Sequence, residues 1–255
     1  MKTAEDVRLF TQEIMGTVFS FHIWPGKLSE HDIASAMSKA RLTLTRHDEI
    51  FSTYKPDSPI IRIQKGELPE KGTLEEIDEV SDLCQIAKSL SGGWFDPWAG
   101  PYGFDPTGLV KGWSVQKVAR LIFSYNPKAV IVNGGGDISC LGEPPPSRWQ
   151  FAVAHPWRKD AAAAVVEVKD TVATSGRYER GEHFFDPIGF QGTKAISATV
   201  LGPDLALADA LATGLAVGGE EAFEILSRIK DYGFYLIDIN GKELYTDNVT
   251  FIREP

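Results

Sequence analysis

Four short stretches decide the fold of this 255-residue chain: KAVIVN (128–133), WQFAVA (149–154), AVVEVK (164–169) and AISATVL (195–201). Each is an apolar run bounded by glycine, proline or polar residues, which is the pattern of a β-strand. Most of them are separated by loops, not by helices. This favours an α+β fold, with mixed sheets flanked by helices, over a doubly wound parallel sheet.

The flanking sequence adds strands and helices around this centre. VFSFHIW (18–24) alternates with the period of a strand, and GFYLIDI (233–239) and the segment 244–251 are also predicted strands. Helices are predicted after a Ser29 cap, after a capping box formed by Thr73 and Glu76, after Lys111, and over residues 206–217 and 220–229. No repeat or domain boundary is visible, so we expect one domain over residues 1–255.

Charge and cysteine content narrow the function classes. The net charge is −9, from 26 basic and 35 acidic residues, and no Lys/Arg cluster is longer than a pair. Duplex nucleic acid needs a focused basic surface, so this composition argues against it as the main partner, though not against one nucleotide held with a metal ion. Cys84 and Cys140 lack CxxC spacing, and Cys84 is predicted to be a buried free thiol.

The sequence shows no membrane or export segment. No apolar run approaches the roughly 18 residues of a membrane helix, and the N-terminal residues are charged. We therefore expect a cytoplasmic protein without a transmembrane segment.

Asp209 and Thr213 are the first candidate site residues. Their i, i+4 spacing places a carboxylate and a hydroxyl on one face of a helix that is apolar nearly all round. A buried carboxylate needs a partner or a cation, and hard oxygen ligands suit Mg²⁺ or Ca²⁺. The alternative is an acid favoured by the helix dipole and a threonine bonded to a carbonyl of its own helix.

Three other segments carry weaker signals. Asn133 and Asp137 flank three glycines directly after a strand, which indicates either a close approach to a ligand or a tight turn. Residues 94–113 combine six aromatic side chains with a lysine, a pattern that suits a planar ligand or a core cluster equally. His183 lies between polar and apolar neighbours and is either structural or catalytic.

The order of these motifs is more specific than any one of them. They run in the order Met15-Gly16-Thr17, FSTY (51–54), FDPWAGP (95–101), DPTGLVKGW (105–113), NGGGD (133–137), ATSGRY (173–178), HFFDP (183–187) and ADALATG (208–214). In this order the chain resembles the ApbE family of FAD:protein FMN transferases. The resemblance implies a single ApbE-like, T-fold-like domain. The stretch between Pro101 and Asp105 is shorter than is usual in that family.

The resemblance also implies an activity and a set of site residues. It implies Mg²⁺-dependent cleavage of the FAD pyrophosphate, with transfer of FMN to a Thr or Ser hydroxyl of a target protein and release of AMP. A Mg²⁺-dependent FAD pyrophosphatase and a non-catalytic flavin-binding protein are the alternatives. The implied flavin-nucleotide contacts are Met15, Tyr54, Tyr102, Gly103, Phe104, Asp105 and Lys111; the implied metal positions are Gly108, Asp209, Ala212 and Thr213; and the implied base is His183. Ala212 stands where some family members carry a second metal-binding aspartate.

Overall fold

The computed structural model describes residues 7–143, 148–158, 160–176 and 194–253. The strands are β1 (Arg8–Ile14), β2 (Thr17–Trp24), β3 (Ala129–Gly134), β4 (Asp137–Gly142), β5 (Trp149–Ala154), β6 (Ala162–Val168), β7 (Thr171–Gly176), β8 (Ala195–Gly202), β9 (Gly233–Asp238), β10 (Glu243–Tyr245) and β11 (Phe251–Arg253). The helices are α1 (Glu30–Phe51), α2 (Pro59–Gln64), α3 (Glu75–Leu90), α4 (Thr107–Phe123), α5 (Leu205–Gly218) and α6 (Glu220–Leu226).

Two antiparallel sheets form the centre of the described structure. The larger has eight strands in the order β1-β2-β3-β4-β7-β8-β9-β10, and the smaller has three in the order β11-β6-β5. Every described strand pair is antiparallel. The predicted α+β class is confirmed, and the sheets are flanked by helices as expected.

Each face of the large sheet is covered by a different layer. The alternation in β2 turns Phe19, Phe21 and Ile23 towards one face, where they are fully buried against α1, α4 and α5. The opposite face packs on the small sheet, where Val166 is fully buried. Cys84 and Cys140 are both buried free thiols, and burial raises both of their pKa values. The prediction for Cys84 is therefore confirmed.

The helices predicted over 206–217 and 220–229 begin at Leu205 and Glu220, close to their predicted starts. Of the other three predicted helix starts, one agrees with the structure and two differ. Ser29 caps α1 through the predicted side-chain bond, and Asp32 completes a capping box. The box of Thr73 with Glu76 is wrong, because the Thr73 hydroxyl donates to the Pro69 carbonyl and α3 begins after Leu74 without a side-chain cap. The third predicted helix begins before Lys111, not after it, because α4 already starts at Thr107.

Helices α4 and α5 touch at a glycine. A Cβ at Gly112 would lie 2.5 Å from the Leu205 carbonyl oxygen and 2.8 Å from Asp209 Cβ. These distances leave no room for a side chain, so the two helix backbones meet here. The contact brings the N-terminal half of α4 against the face of α5 that carries Asp209. None of the described helices has the length and apolar character to cross a membrane.

Candidate functional site

A cavity of about 370 Å³ opens where α4 begins, beside the middle of α5 and the end of β7. The loop before α4 forms another side of the cavity. The cavity is lined by Trp94, Phe95, Asp96, Pro97, Gly100, Pro101, Tyr102, Gly103, Asp105, Thr107, Gly108, Lys111, Thr174, Ser175, Gly176, Asp209, Thr213 and Val217. The lining includes seven of the twelve residues that the sequence predicts as site residues.

The centre of the cavity is a group of oxygen-bearing residues from three elements. Asp209 and Thr213 share one face of α5, and Asp209 is only 3% exposed. Its Oδ2 accepts a hydrogen bond from the Gly112 N–H at 2.9 Å. The Ser175 hydroxyl, at the end of β7, lies 3.4 Å from that of Thr213. Gly108 approaches from α4, since a Cβ there would lie 3.2 Å from Thr213 Oγ1.

A buried ion pair lies at one side of this group. Lys111, 8% exposed, lines the cavity, and its Nζ lies 2.5 Å from Oδ2 of the wholly buried Asp137. The same Nζ is 3.4 Å from the Gly135 carbonyl oxygen. Gly135 and Gly136 have φ values of +62° and +94°, so the glycine run forms a tight two-residue hairpin turn between β3 and β4. The glycine run therefore forms a turn, and that turn contacts a lysine of the cavity.

A second hairpin turn lies beside the first. Met15 (φ +52°) and Gly16 (φ +69°) connect β1 to β2. Thr17 follows them, and its Oγ1 would be 2.6 Å from a Cβ at Gly135. The structure therefore brings Met15 into the neighbourhood of the Lys111 contact. Met15 itself does not line the cavity among the described residues; its side chain packs on the core.

In the loop before α4, some residues line the cavity and others are buried in the core. Tyr102, Gly103 and Asp105 line the cavity, and Tyr102 is 77% exposed. Phe104 points the other way: it is 3% exposed and stacks on Trp98, with ring centroids 5.2 Å apart. The aromatic residues of this segment therefore serve both as cavity wall and as core.

Besides Met15 and Phe104, three more predicted site residues do not line the cavity or cannot be placed. Tyr54 is 91% exposed in the loop after α1. Ala212 is fully buried in the core between α5 and the large sheet. His183 lies outside the described residues.

Two residues that the sequence reasoning did not assign belong to the site. Ser175 is part of the quoted ATSGRY motif, and its position in a short polar run at a strand end was the available signal. Asp137 was quoted only as the end of a glycine-rich turn. Its burial and its pairing with Lys111 depend on the register of β3 with β4, which the sequence alone does not show.

His47 is a buried histidine to which the sequence gave no role. It is 5% exposed between α1 and α4, with Nδ1 3.0 Å from the Ser114 hydroxyl and its ring over that of Trp113. Burial lowers its pKa to about 4, so the ring is neutral at pH 7. His47 does not line the cavity.

Comparisons with known proteins identify similar chains. The model of the ApbE family matches residues 102–236. An Escherichia coli K12 protein named FAD:protein FMN transferase is 25% identical over 95% of this chain and 87% of its own length. A Vibrio cholerae protein of the same name is 32% identical, over 46% of this chain and 39% of that protein.

Solved structures share the fold. The flavin transferase ApbE from Vibrio cholerae superposes with a TM-score of 0.80 at 20% identity, covering 95% of this chain and 97% of the other. The ApbE protein from Thermotoga maritima gives a TM-score of 0.81 at 20% identity, covering 95% and 97%. At this identity the likeness concerns the fold alone.

Proposed function

This chain is a member of the ApbE family, and we propose that it is a FAD:protein FMN transferase. In this reaction the FAD pyrophosphate is cleaved, FMN passes to a Thr or Ser hydroxyl of a target protein, and AMP leaves. One observation carries the proposal. The cavity gathers Asp209, Thr213, Ser175 and Lys111 from α4, α5 and β7, which supplies oxygen ligands and a fixed cation around one space.

The oxygen atoms of this group are of the type that binds Mg²⁺. Mg²⁺ is usually held by one or two carboxylates together with substrate phosphates and water. Asp209 supplies a buried carboxylate, Thr213 and Ser175 supply hydroxyls, and Gly108, which lies against Thr213, is proposed to lend its carbonyl as the family resemblance implies. Within the described ranges no three His, Cys, Asp or Glu side chains form a metal cluster, and a magnesium ion shared with phosphates does not need one.

Bound there, Mg²⁺ would neutralise the pyrophosphate and the charge that develops as the phosphorus–oxygen bond breaks. Asp209 would be its main protein ligand, with Thr213 one turn further along α5. Ala212 offers only a buried methyl group, so no second aspartate ligand comes from that position.

The chain's other residues would bind and orient the nucleotide. Lys111 and the first turn of α4 face the cavity, and helix N-termini with a nearby lysine favour phosphate. Tyr102, Gly103 and Asp105 line the outer wall, where a nucleotide ring or ribose would lie. Met15 adjoins this region, and Phe104 supports the wall from the core. Tyr54, whose ring is exposed, is proposed as a flavin contact because the family resemblance implies it.

His183 is proposed as the base that takes the proton from the acceptor hydroxyl. A threonine or serine hydroxyl is a weak nucleophile until its proton is removed, and a histidine with a pKa near ~6.5 is suited to that transfer. Phosphoryl transfer needs little covalent chemistry from the protein. The other site residues would therefore act by positioning the nucleotide and by stabilising its charge.

The test compares two aspartates on the same helix. Purified chain is incubated with FAD and Mg²⁺, with and without an extract of the cells from which it comes, and AMP and protein-bound flavin fluorescence are measured. We expect AMP release that rises with the extract, accompanied by a flavin-labelled protein band. Asp209→Asn keeps an oxygen for the Gly112 N–H and should lower turnover at least 10²-fold, the loss of several kcal/mol that a metal ion supplies.

Asp204→Asn is the matched control. Asp204 caps α5 by accepting from the Leu207 N–H, and asparagine caps equally well, so activity should persist. AMP release without any labelled protein would favour the pyrophosphatase. FAD binding with neither product would favour the flavin-binding protein. Wild-type turnover in Asp209→Asn would refute the metal assignment.

A further inference from the structure

We infer that Asp137 is the positioning residue that holds the Lys111 ammonium in place for the pyrophosphate of FAD. The inference rests on the proposed function, and it adds a residue that does not itself touch the substrate. Lys111 lines the cavity, whereas Asp137 lies behind it and is wholly buried. An effect of Asp137 on FAD must therefore pass through Lys111.

The geometry of the pair is set by the β3–β4 hairpin. Asp137 is the first residue of β4 and pairs with Gly134 across the tight turn. Its Oδ2 lies 2.5 Å from Lys111 Nζ, and the Gly135 carbonyl oxygen of the same turn lies 3.4 Å from that nitrogen. One ion pair and one hydrogen bond, both to the same turn, thus hold the end of a long side chain that comes from α4.

The turn itself is closely packed by its neighbours. A Cβ at Gly134 would lie 2.7 Å from the Val115 side chain of α4, and one at Gly135 would lie 2.6 Å from Thr17 Oγ1. The hairpin is therefore packed between α4 and the β1–β2 turn. The position of Asp137, and with it the position of the lysine ammonium, is determined by backbone packing on both sides.

A gain in the stability of the fold does not explain why Lys111 and Asp137 are paired. Removing two charges from water offsets much of their attraction, and a well-packed apolar pair is often equally stable. In addition, neither carboxylate oxygen of Asp137 has a hydrogen-bond partner among the described residues, although both are buried, and the contact of Oδ2 with Lys111 is an ion pair. What the pair supplies is a pre-positioned cation, because a lysine already fixed in its bound geometry loses less conformational entropy when a phosphate binds.

The test is a double-mutant cycle on the full chain. Asp137→Asn, Lys111→Met and the double variant are compared with wild type for thermal unfolding, for FAD affinity by flavin fluorescence with Mg²⁺ present, and for KM and kcat of AMP release. Glu79→Gln is the matched control. Glu79 of α3 pairs with Lys117 of α4, the helix that carries Lys111, with Nζ–Oε1 at 2.7 Å. Neither Glu79 nor Lys117 lines the cavity.

Asp137→Asn should raise the Kd and KM for FAD about tenfold, as expected for the loss of one charge-assisted contact, with kcat nearly unchanged. In the Lys111→Met background the same change should add less than about twofold, because the residue acts through the lysine. Glu79→Gln should leave FAD affinity unchanged. If Asp137→Asn does not fold, Asp137→Ser, which leaves room for a water, replaces it in the cycle.

The outcomes separate this inference from the proposed function. A wild-type chain that neither binds FAD nor releases AMP removes the proposed function, and the inference with it. A wild-type chain that does both, with Asp137→Asn binding FAD as tightly as wild type, overturns the inference alone. So does a tenfold loss of affinity that persists in the Lys111→Met background, since Asp137 would then act independently of the lysine.

Discussion

Gly112→Ala tests the contact that positions the candidate metal carboxylate. The new Cβ would lie 2.5 Å from the Leu205 carbonyl oxygen, whereas carbon–oxygen contacts between backbones are usually about 3.3–3.6 Å. Helices α4 and α5 must therefore separate by about 1 Å. Forcing an extra methyl group into such packing costs roughly 1–3 kcal/mol or more, offset by about 1 kcal/mol of improved helix propensity.

We expect a net loss of up to about 2 kcal/mol in the free energy of unfolding, or at most roughly 4–8 °C in Tm for a chain of this size. The Gly112 N–H also donates to Asp209, so the shift moves that carboxylate. A displacement of about 1 Å near the reacting groups lowers turnover by roughly 10²-fold. Thermal unfolding and AMP release, the latter measured well below the Tm, check the two effects separately.

Gly214→Ala is the comparison on the partner helix. Its nearest neighbour would be the Phe95 backbone nitrogen at 3.2 Å, so a small local adjustment accommodates the methyl group and the loss of stability should be smaller. A Gly112→Ala chain with wild-type Tm and wild-type AMP release would refute the reasoning, because the two backbones would then not meet at Gly112.

Three further predictions concern single side chains. Tyr54→Ala should weaken FAD binding in a fluorescence titration without changing the Mg²⁺ dependence; equal affinity would remove Tyr54 from the flavin contacts. His183→Ala should lower kcat by about 10²–10⁴ while leaving FAD affinity near wild type, and a pH–rate profile that overlays that of wild type would contradict its role as a base. His47 has a folded pKa of about 4, so the folded state stays neutral while the unfolded chain takes up a proton as the pH falls below about 6.5. Its stabilising contribution is complete above that pH and decreases by up to about 3 kcal/mol towards pH 4, so urea unfolding of wild type and His47→Gln should converge over this range.

Much of the fold is predictable because it follows from local periodicity. The alternation of Phe19, Phe21 and Ile23 indicates a strand with one buried face, and the structure buries all three. The helix starts are less predictable, since Thr73 has the residue type of a cap but its hydroxyl bonds to Pro69. Three strands, β1, β4 and β7, are absent from the sequence predictions. In β4 and β7, polar residues such as Ser139 and Thr174 interrupt the apolar runs.

The site is predictable only where its residues share one element. Asp209 and Thr213 are four residues apart on α5, so helical spacing alone places them together. The sequence also shows that a carboxylate in so apolar a helix needs a partner, but it cannot identify the Gly112 N–H, which comes from a helix nearly a hundred residues earlier in the chain. In the same way, the sequence cannot identify Asp137 as the partner of Lys111. Both contacts depend on glycines that let backbones approach, and a glycine in a sequence indicates that something comes close without indicating what. The residues that hold the predicted ligands in place are therefore the part of this site that only the three-dimensional structure supplies.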